Sequence, residues 1–362
     1  MPNISFAESA TKATQGFQFW TSITGTVTSD AAQFKDSPRS IKCDGAAGNA
    51  AAYVQKDGVL TDAGARISYY VRLTNLPAST VPLLEILNAT SLAIPLRIDL
   101  SSAGVLTLVA GNKTTTGSSL VTGTWYGITL SYIVTNSALN QWRVFLNGLL
   151  DITILNATLT NINTSNLLLG WVLAPGANNV LNIDHPFVDL GQTVDYPGDV
   201  RVTAKLAAAV NNNAFDTTTG TGAVNERPIS EANNKNHLAT TQVLQDYTLE
   251  AASVGDVNIT GAVLVGHIGW MWSKRGAGGV GTPGMALNGA ITAVTLTTTS
   301  ALYTKIITST SYPSNVQGIG ERSSGAGADT FLYECGVLIV YIPAAADPFP
   351  AGYLRRVQYY GA

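Results

Sequence analysis

Charge is what this chain has least of. Only 12% of its 362 residues are Asp, Glu, Lys or Arg, against about 25% in an ordinary soluble domain. Surface helices are normally filled with Glu, Lys and Arg, so a helix-rich enzyme is not expected. The net charge is −3. A protein that neutralises many phosphates carries a basic stripe, so nucleic acid is excluded as an expected partner. Cysteine is nearly absent: Cys43 and Cys335 alone, far apart. A disulfide framework needs more cysteines at short spacings, and both read as buried thiols. Long apolar runs are missing too. The stretch Val337 to Ile342 is far shorter than the roughly 20 residues a membrane helix needs, so membrane insertion is not expected. The opening Met1–Glu8 has no basic stretch leading into an apolar core, so no secretory leader is expected there.

What remains is 46% hydrophobic, with 35 glycines among many Thr, Ser, Asn and Ala. That is too apolar for a disordered chain. The apolar residues recur with period two. Ile67, Tyr69, Val71 and Leu73 alternate with polar neighbours, with Arg66 and Arg72 on the other face. Ile128, Leu130, Tyr132 and Val134 repeat the pattern. Trp142, Val144 and Leu146 lead to Asn147-Gly148, a tight-turn signal. Such runs are half-buried antiparallel strands. Further strands are expected at 51–55, 81–87, 96–100, 105–109 and 167–172. No amphipathic helix of any length is evident.

The fold class expected is all-β: a jelly-roll sandwich over residues 1–194 and a second antiparallel β-sandwich over 195–345. A tail follows at 346–362. The boundary is set by the turn-rich Asp195-Tyr196-Pro197-Gly198-Asp199. Past it, 200–206 reads as a strand and 211–236 as a long polar loop. Strands resume at 243–249, 257–272, 291–297, 303–308 and 331–342. The runs 257–265 and 337–342 are apolar on both faces, which places them centrally.

Four segments in the first half occur in a telling order: Ser37-Pro38-Arg39-Ser40-Ile41-Lys42, Thr124-Trp125-Tyr126-Gly127-Ile128, Val144-Phe145-Leu146-Asn147-Gly148 and Ile183-Asp184-His185-Pro186-Phe187-Val188-Asp189. Over roughly residues 15–190 the chain resembles the concanavalin A-like, laminin-G-type jelly roll. The second half, from Pro197-Gly198-Asp199-Val200-Arg201-Val202, is similar to the β-rich half of tailed-bacteriophage virion proteins in which such a jelly roll precedes a second sandwich.

Catalytic chemistry finds little support in the residues. The histidines are His185, His237 and His267. His267 sits on an apolar strand and reads as a core or interface residue, while His237 follows the polar loop and reads as solvated. No Gly-x-Ser-x-Gly elbow is present, and a nucleophilic triad needs a base beside Ser or Cys. Glycosidases on the concanavalin-like fold need two acids about 5–5.5 Å apart. Glu85 is the one acid of its strand, Asp99 stands alone, and Asp184 and Asp189 fall on opposite faces of a regular strand. Calcium needs about 6–8 oxygens, and Asp44, Asp57 and Asp62 read more simply as turn formers. No Cys/His pair has zinc spacing. The glycine run at 276–281 lacks the Gly-Lys-Ser/Thr and helix of a phosphate loop. No enzyme activity, cofactor or metal is therefore expected.

Binding is the better supported class. Trp125 and Trp142 are expected on inward faces. Trp270 and Trp272 share a strand face beside Lys274 and Arg275, which suits a subunit interface or a ligand platform. In the tail, Tyr353, Arg355, Arg356, Tyr359 and Tyr360 are of the residue types enriched at interface hot spots. The resemblances imply a non-enzymatic structural component of a tailed-phage virion, an exposed tail or head appendage or capsid decoration protein assembled in the host cytoplasm. Its expected partners are other virion proteins and its own copies, a trimer by analogy. The alternative is a carbohydrate-binding adhesin module recognising host-surface glycans.

Overall fold

The computed structural model describes residues 4–8, 19–36, 39–45, 50–61, 63–88, 96–133, 140–157, 165–176, 178–190, 198–213, 217–218, 235–238, 243–254, 257–275, 284–287, 290–293, 296–299, 301–307, 312, 319–323 and 329–344. Among them every regular element is a strand. The protein is all-β: a jelly-roll sandwich followed by a second antiparallel sandwich.

With strands numbered in chain order, one sheet of the first sandwich holds β1 (Ile4–Ala7), β3 (Thr26–Asp30), β4 (Ser40–Asp44), β6 (Gly64–Leu73), β11 (Trp125–Ile133), β12 (Gln141–Leu146), β13 (Leu149–Leu155) and β15 (Val180–Asp189). The facing sheet holds β2 (Ser22–Thr24), β5 (Ala52–Asp57), β7 (Val81–Asn88), β8 (Leu96–Leu100), β9 (Val105–Ala110), β10 (Lys113–Ser119) and β14 (Ser165–Trp171). Their orders are β13-β12-β11-β6-β15-β4-β3 and β10-β9-β8-β7-β14-β5-β2, with β1 beside β15. Period-two alternation explains why these segments are strands: each presents an apolar file to the space between the sheets. Ile67, Tyr69, Val71, Ile128, Leu130, Tyr132 and Trp142 fill it from one side; Val54, Leu84, Ile86, Ile98, Leu108, Leu167, Leu169 and Trp171 fill it from the other. Asn147 and Gly148 turn β12 into β13 with φ of 50° and 82°, the paired positive φ values of a tight hairpin.

The second sandwich comprises β16 (Arg201–Asn213), β17 (Thr217–Thr218), β18 (Lys235–Leu238), β19 (Val243–Leu249), β20 (Val263–Arg275), β21 (Gly284–Leu287), β22 (Ala290–Ala293), β23 (Ala301–Ile307), β24 (Ile319–Ser323) and β25 (Asp329–Ile342). β16 changes partner midway. Its first half, Arg201–Leu206, pairs with β25, and from Ala207 onward it pairs with β19, with register shifts between Ala207 and Ala209 and between Val210 and Asn212. Bulges increase local twist and bend the strand, so one strand feeds both layers.

Three sequence expectations need correction. Asn211–Asn213 continue β16, and 217–218 and 235–238 are strands, so 211–236 is not one loop; residues 219–234 lie outside those described. Residues 257–262 are not strand: Ile259 and the half-buried Val257 instead pack on Leu264, Val337, Ile339 and Tyr341. That use explains why an apolar run there does not pair. Trp125 is only half-buried. In the unbroken β11–β6 register it has the parity of Gly127 and Thr129, opposite to that of Ile128.

Candidate functional site

The outer face of the seven-stranded sheet carries a groove. Alternation dictates its lining: with Leu84 and Ile86 turned inward on β7, Glu85 and Leu87 face out. With Ile98 inward on β8, Arg97 and Asp99 face out. Leu168 of β14 and Tyr53 of β5 extend the same face. A bulge between Pro82 and Leu84 adds Leu83 to the inward file and keeps Pro82 outward. The cavity has a volume of about 460 Å³ and is also lined by Val172 and Leu173.

Its chemistry is mixed by design of the register. Glu85 stands opposite Arg97 on β8 and opposite Leu168 on β14. Arg97 donates from Nε to Asp99 Oδ2 at 2.9 Å. Asp99 is 6% exposed, and its other oxygen, Oδ1, is buried with no hydrogen-bond partner among the described residues. Burial pushes the Glu85 carboxyl above its ordinary range; the Arg97 charge opposes this and the Asp99 charge adds to it. The groove thus combines a carboxyl that burial pushes upward, an ionic Asp99–Arg97 pair, and an apolar wall of Leu168 and Val172. Two carboxyls beside a guanidinium fall well short of the six to eight or so oxygens calcium takes. Among the described residues no group of three His, Cys, Asp or Glu comes together in a metal-binding arrangement.

Strand-by-strand reading misses this site. Glu85 and Asp99 each look isolated along the chain, but β7 and β8 are adjacent, and residues on diagonal cross-strand positions lie roughly 7–8 Å apart. The signal available was outward parity: Glu85, Arg97 and Asp99 all occupy polar positions between apolar ones.

A second polar cluster lies where β15 breaks its alternation. The register to β6 shifts between Asp184 and Phe187, and His185 has φ of 50°. Pro186 has no N–H to give a ladder. The extra residue brings Asp184 and Asp189 to the same face, opposite Tyr70 and Arg66, correcting the expectation of opposite faces. They remain four β6 positions apart, roughly 13 Å, and Asp189 is bound by Arg66. Glycoside cleavage needs two acids within about 9.5 Å. His185, fully buried, meets Asp36 through Nε2, and its Nδ1 lies 2.8 Å from Val202 O and 3.2 Å from Val202 N. Asp36 also pairs with Arg201, whose second nitrogen donates to Asp199 at 2.8 Å. Asp184 accepts from the Lys35 and His185 amides, each at 2.9 Å. None of the partners of His185 named here is a hydroxyl or a thiol. The cluster ties the 35–36 segment and β15 to the start of β16.

The expected contact residues fare differently. Trp270 is 5% exposed, stands against Gly336 and meets the Phe19 ring edge-on at 6.2 Å. It belongs to the chain's own core, a correction with a simple cause: β20 is flanked by β23 and β25 and covered by the first sandwich. Trp272, on the same face, is half-buried. Tyr353, Arg355, Arg356, Tyr359 and Tyr360 lie outside the described residues, as do Asp62 and the 276–281 glycine run. His267 is fully buried; the side chain of His237 is outside the described set. Asp44 pairs with Lys42 and Asp57 accepts from Gln55. Cys43 and Cys335 are buried thiols, and burial pushes Cys43 far up.

The site thus belongs to an antiparallel β-sandwich with a grooved, partly polar sheet face. No protein-family model and no curated protein sequence matches the chain. Among solved structures, an endo-β-1,4-glucuronan lyase from Trichoderma reesei is similar at 12% identity and a TM-score of 0.42, covering 52% of this chain and 96% of the lyase. A carbohydrate esterase from the Shiga toxin-encoding bacteriophage phi24B is similar at 13% identity and a TM-score of 0.39, over 53% of this chain and 100% of the esterase. A Trypanosoma rangeli sialidase is similar at 16% identity and a TM-score of 0.35, over 46% of this chain but 28% of the sialidase.

Proposed function

We propose that this protein is a carbohydrate-binding β-sandwich protein whose glycan site is the groove between Tyr53, Glu85, Asp99 and Leu168. Glu85 and Asp99 stand at a separation two glycosidic acids could use, but Asp99 is held by Arg97, which weakens it as a base, so the site is read as non-catalytic. The observation that carries this reading is a cavity of about 460 Å³ on one sheet face, in which Glu85 and the Asp99–Arg97 pair stand beside the apolar Leu168 and Val172. Sugar hydroxyls both donate and accept, so a neutral carboxyl and a carboxylate–guanidinium pair on one wall can each meet them. A pyranose also has apolar C–H faces, which Leu168 and Val172 can cover while polar groups fix its edge. Placement of the protein on the surface of a phage particle, among other virion proteins and copies of itself, is part of the same proposal and rests on the sequence resemblance of the second half.

The test is a glycan array probed with the full chain, together with a reducing-end assay on the glycans bound. Wild-type protein is expected to bind without releasing reducing ends. Asp99→Ala is expected to weaken binding roughly ten- to hundredfold, the loss of one charge-assisted hydrogen bond. Absence of binding, or turnover that disappears in Glu85→Gln, overturns the proposal.

A further inference from the structure

The groove holds two acids, yet their surroundings differ. Asp99 has the Arg97 guanidinium at 2.9 Å. Glu85 has Leu168 opposite it on one flank and Arg97, already engaged with Asp99, on the other. The titratable and charged groups facing Glu85 are Arg97 and Asp99 from β8 and Tyr53 from β5; β14 contributes Leu168 and β7 itself Leu87. Glu85 is 6% exposed, so little water reaches its charged form.

Resting on the glycan-binding reading, we infer that Glu85 keeps its proton when the groove is occupied and donates it as a hydrogen bond to a saccharide oxygen, while Asp99 accepts from a saccharide hydroxyl. The site thus selects neutral glycans and binds them best in mildly acid solution. The donor and acceptor lie on neighbouring strands at diagonal positions, roughly 7–8 Å apart, a span that suits substituents along one sugar edge. Selection against acidic glycans follows from charge: with Glu85 neutral, Arg97 is balanced by Asp99, and a sugar carboxylate would meet the Asp99 charge without a spare cation. The upward push on Glu85 by burial agrees in direction: a carboxyl that holds its proton longer is a donor below its own titration and a second anion above it.

The experiment is the same array, carrying neutral and uronic or sialic glycans, probed from pH 5 to pH 9 with wild type, Glu85→Gln and Asp99→Ala. Circular dichroism of each variant establishes that it is folded. Wild-type signal is expected on neutral glycans only and to fall about tenfold or more as pH rises. Glu85→Gln, a permanent neutral donor, is expected to bind the same glycans with no such fall. A carbon-13 carboxyl titration of Glu85 is expected to place its midpoint above that of exposed glutamates in the same chain. An equal pH response in wild type and Glu85→Gln, binding of acidic glycans, or an ordinary Glu85 midpoint overturns this inference while leaving a glycan-binding groove in place. Absence of signal from wild type and Glu85→Gln at every pH overturns the groove reading and this inference with it.

Discussion

At the scale of single residues, the chain's scarce charges occupy specific jobs. Lys205 is fully buried, and its ammonium donates to the carbonyls of Ala252, Val254 and Val257, the last at 2.8 Å. It fixes the backbone at Ala252, Val254 and Val257, in a stretch whose Ala252, Val257 and Ile259 pack on the second core. A buried charge is costly unless its donors are all used, and three carbonyls use them. Lys205→Met keeps the stem's packing but strips those carbonyls of a partner, so it is expected to lower unfolding free energy by about 3 kcal/mol or more. Urea denaturation measures this; a loss under 1 kcal/mol or so would mean that water replaces the ammonium without penalty. Glu85 is the opposite case. Its carboxyl is pushed up in the folded state, so the folded chain binds more protons than the unfolded one above the ordinary carboxylate range. Its contribution to stability is complete in acid and is lost as pH rises through the raised value.

Among elements, β15 carries the most information. Its first half pairs with β4 and its last residues with β1, on the same edge, and the change occurs at His185 and Pro186. The bulge turns His185 towards Asp36 and Val202, the contacts that join β15 to β16. Asp36→Ala removes the partner of both His185 and Arg201. Since Asp36 is 21% exposed, the expected loss is about 2–3 kcal/mol, below that of a fully buried pair, with earlier proteolysis around Gly198; an unchanged melting profile would show the cluster to be incidental. Wherever apolar and polar residues alternate, as along Ile67–Leu73 or Ile128–Ile133, the strand was legible in the sequence. So was the Asn147-Gly148 hairpin. β10 was not, because Lys113–Ser119 has no apolar file and is a strand only through its pairing with β9 at the sheet edge. The groove was half legible. Each of Glu85, Arg97 and Asp99 shows its outward parity along the chain, but which strands adjoin is a property of the sheet.

Taken whole, the molecule has its two sandwiches joined by more than a connecting segment. Val200, Val202, Val265, Ile268, Trp270, Leu338 and Val340 are in one buried apolar cluster with the core of the first sandwich, and Phe19 meets Trp270. Gly336 on the neighbouring strand leaves room for the Trp270 ring to lie across it: a Cβ there would sit 2.7 Å from that ring. This shared core leaves free the outer face of the seven-stranded sheet, on the opposite side of the first sandwich core, where a ligand-sized hollow lies. Amide chemical shifts of the full chain, titrated with the strongest neutral glycan from the array, test that assignment most directly. Perturbations are expected to centre on Tyr53, Glu85, Arg97, Asp99 and Leu168, and in Asp99→Ala to need roughly ten- to hundredfold more glycan. Perturbations centred elsewhere, for instance around Trp272, with those five amides unmoved, would contradict it.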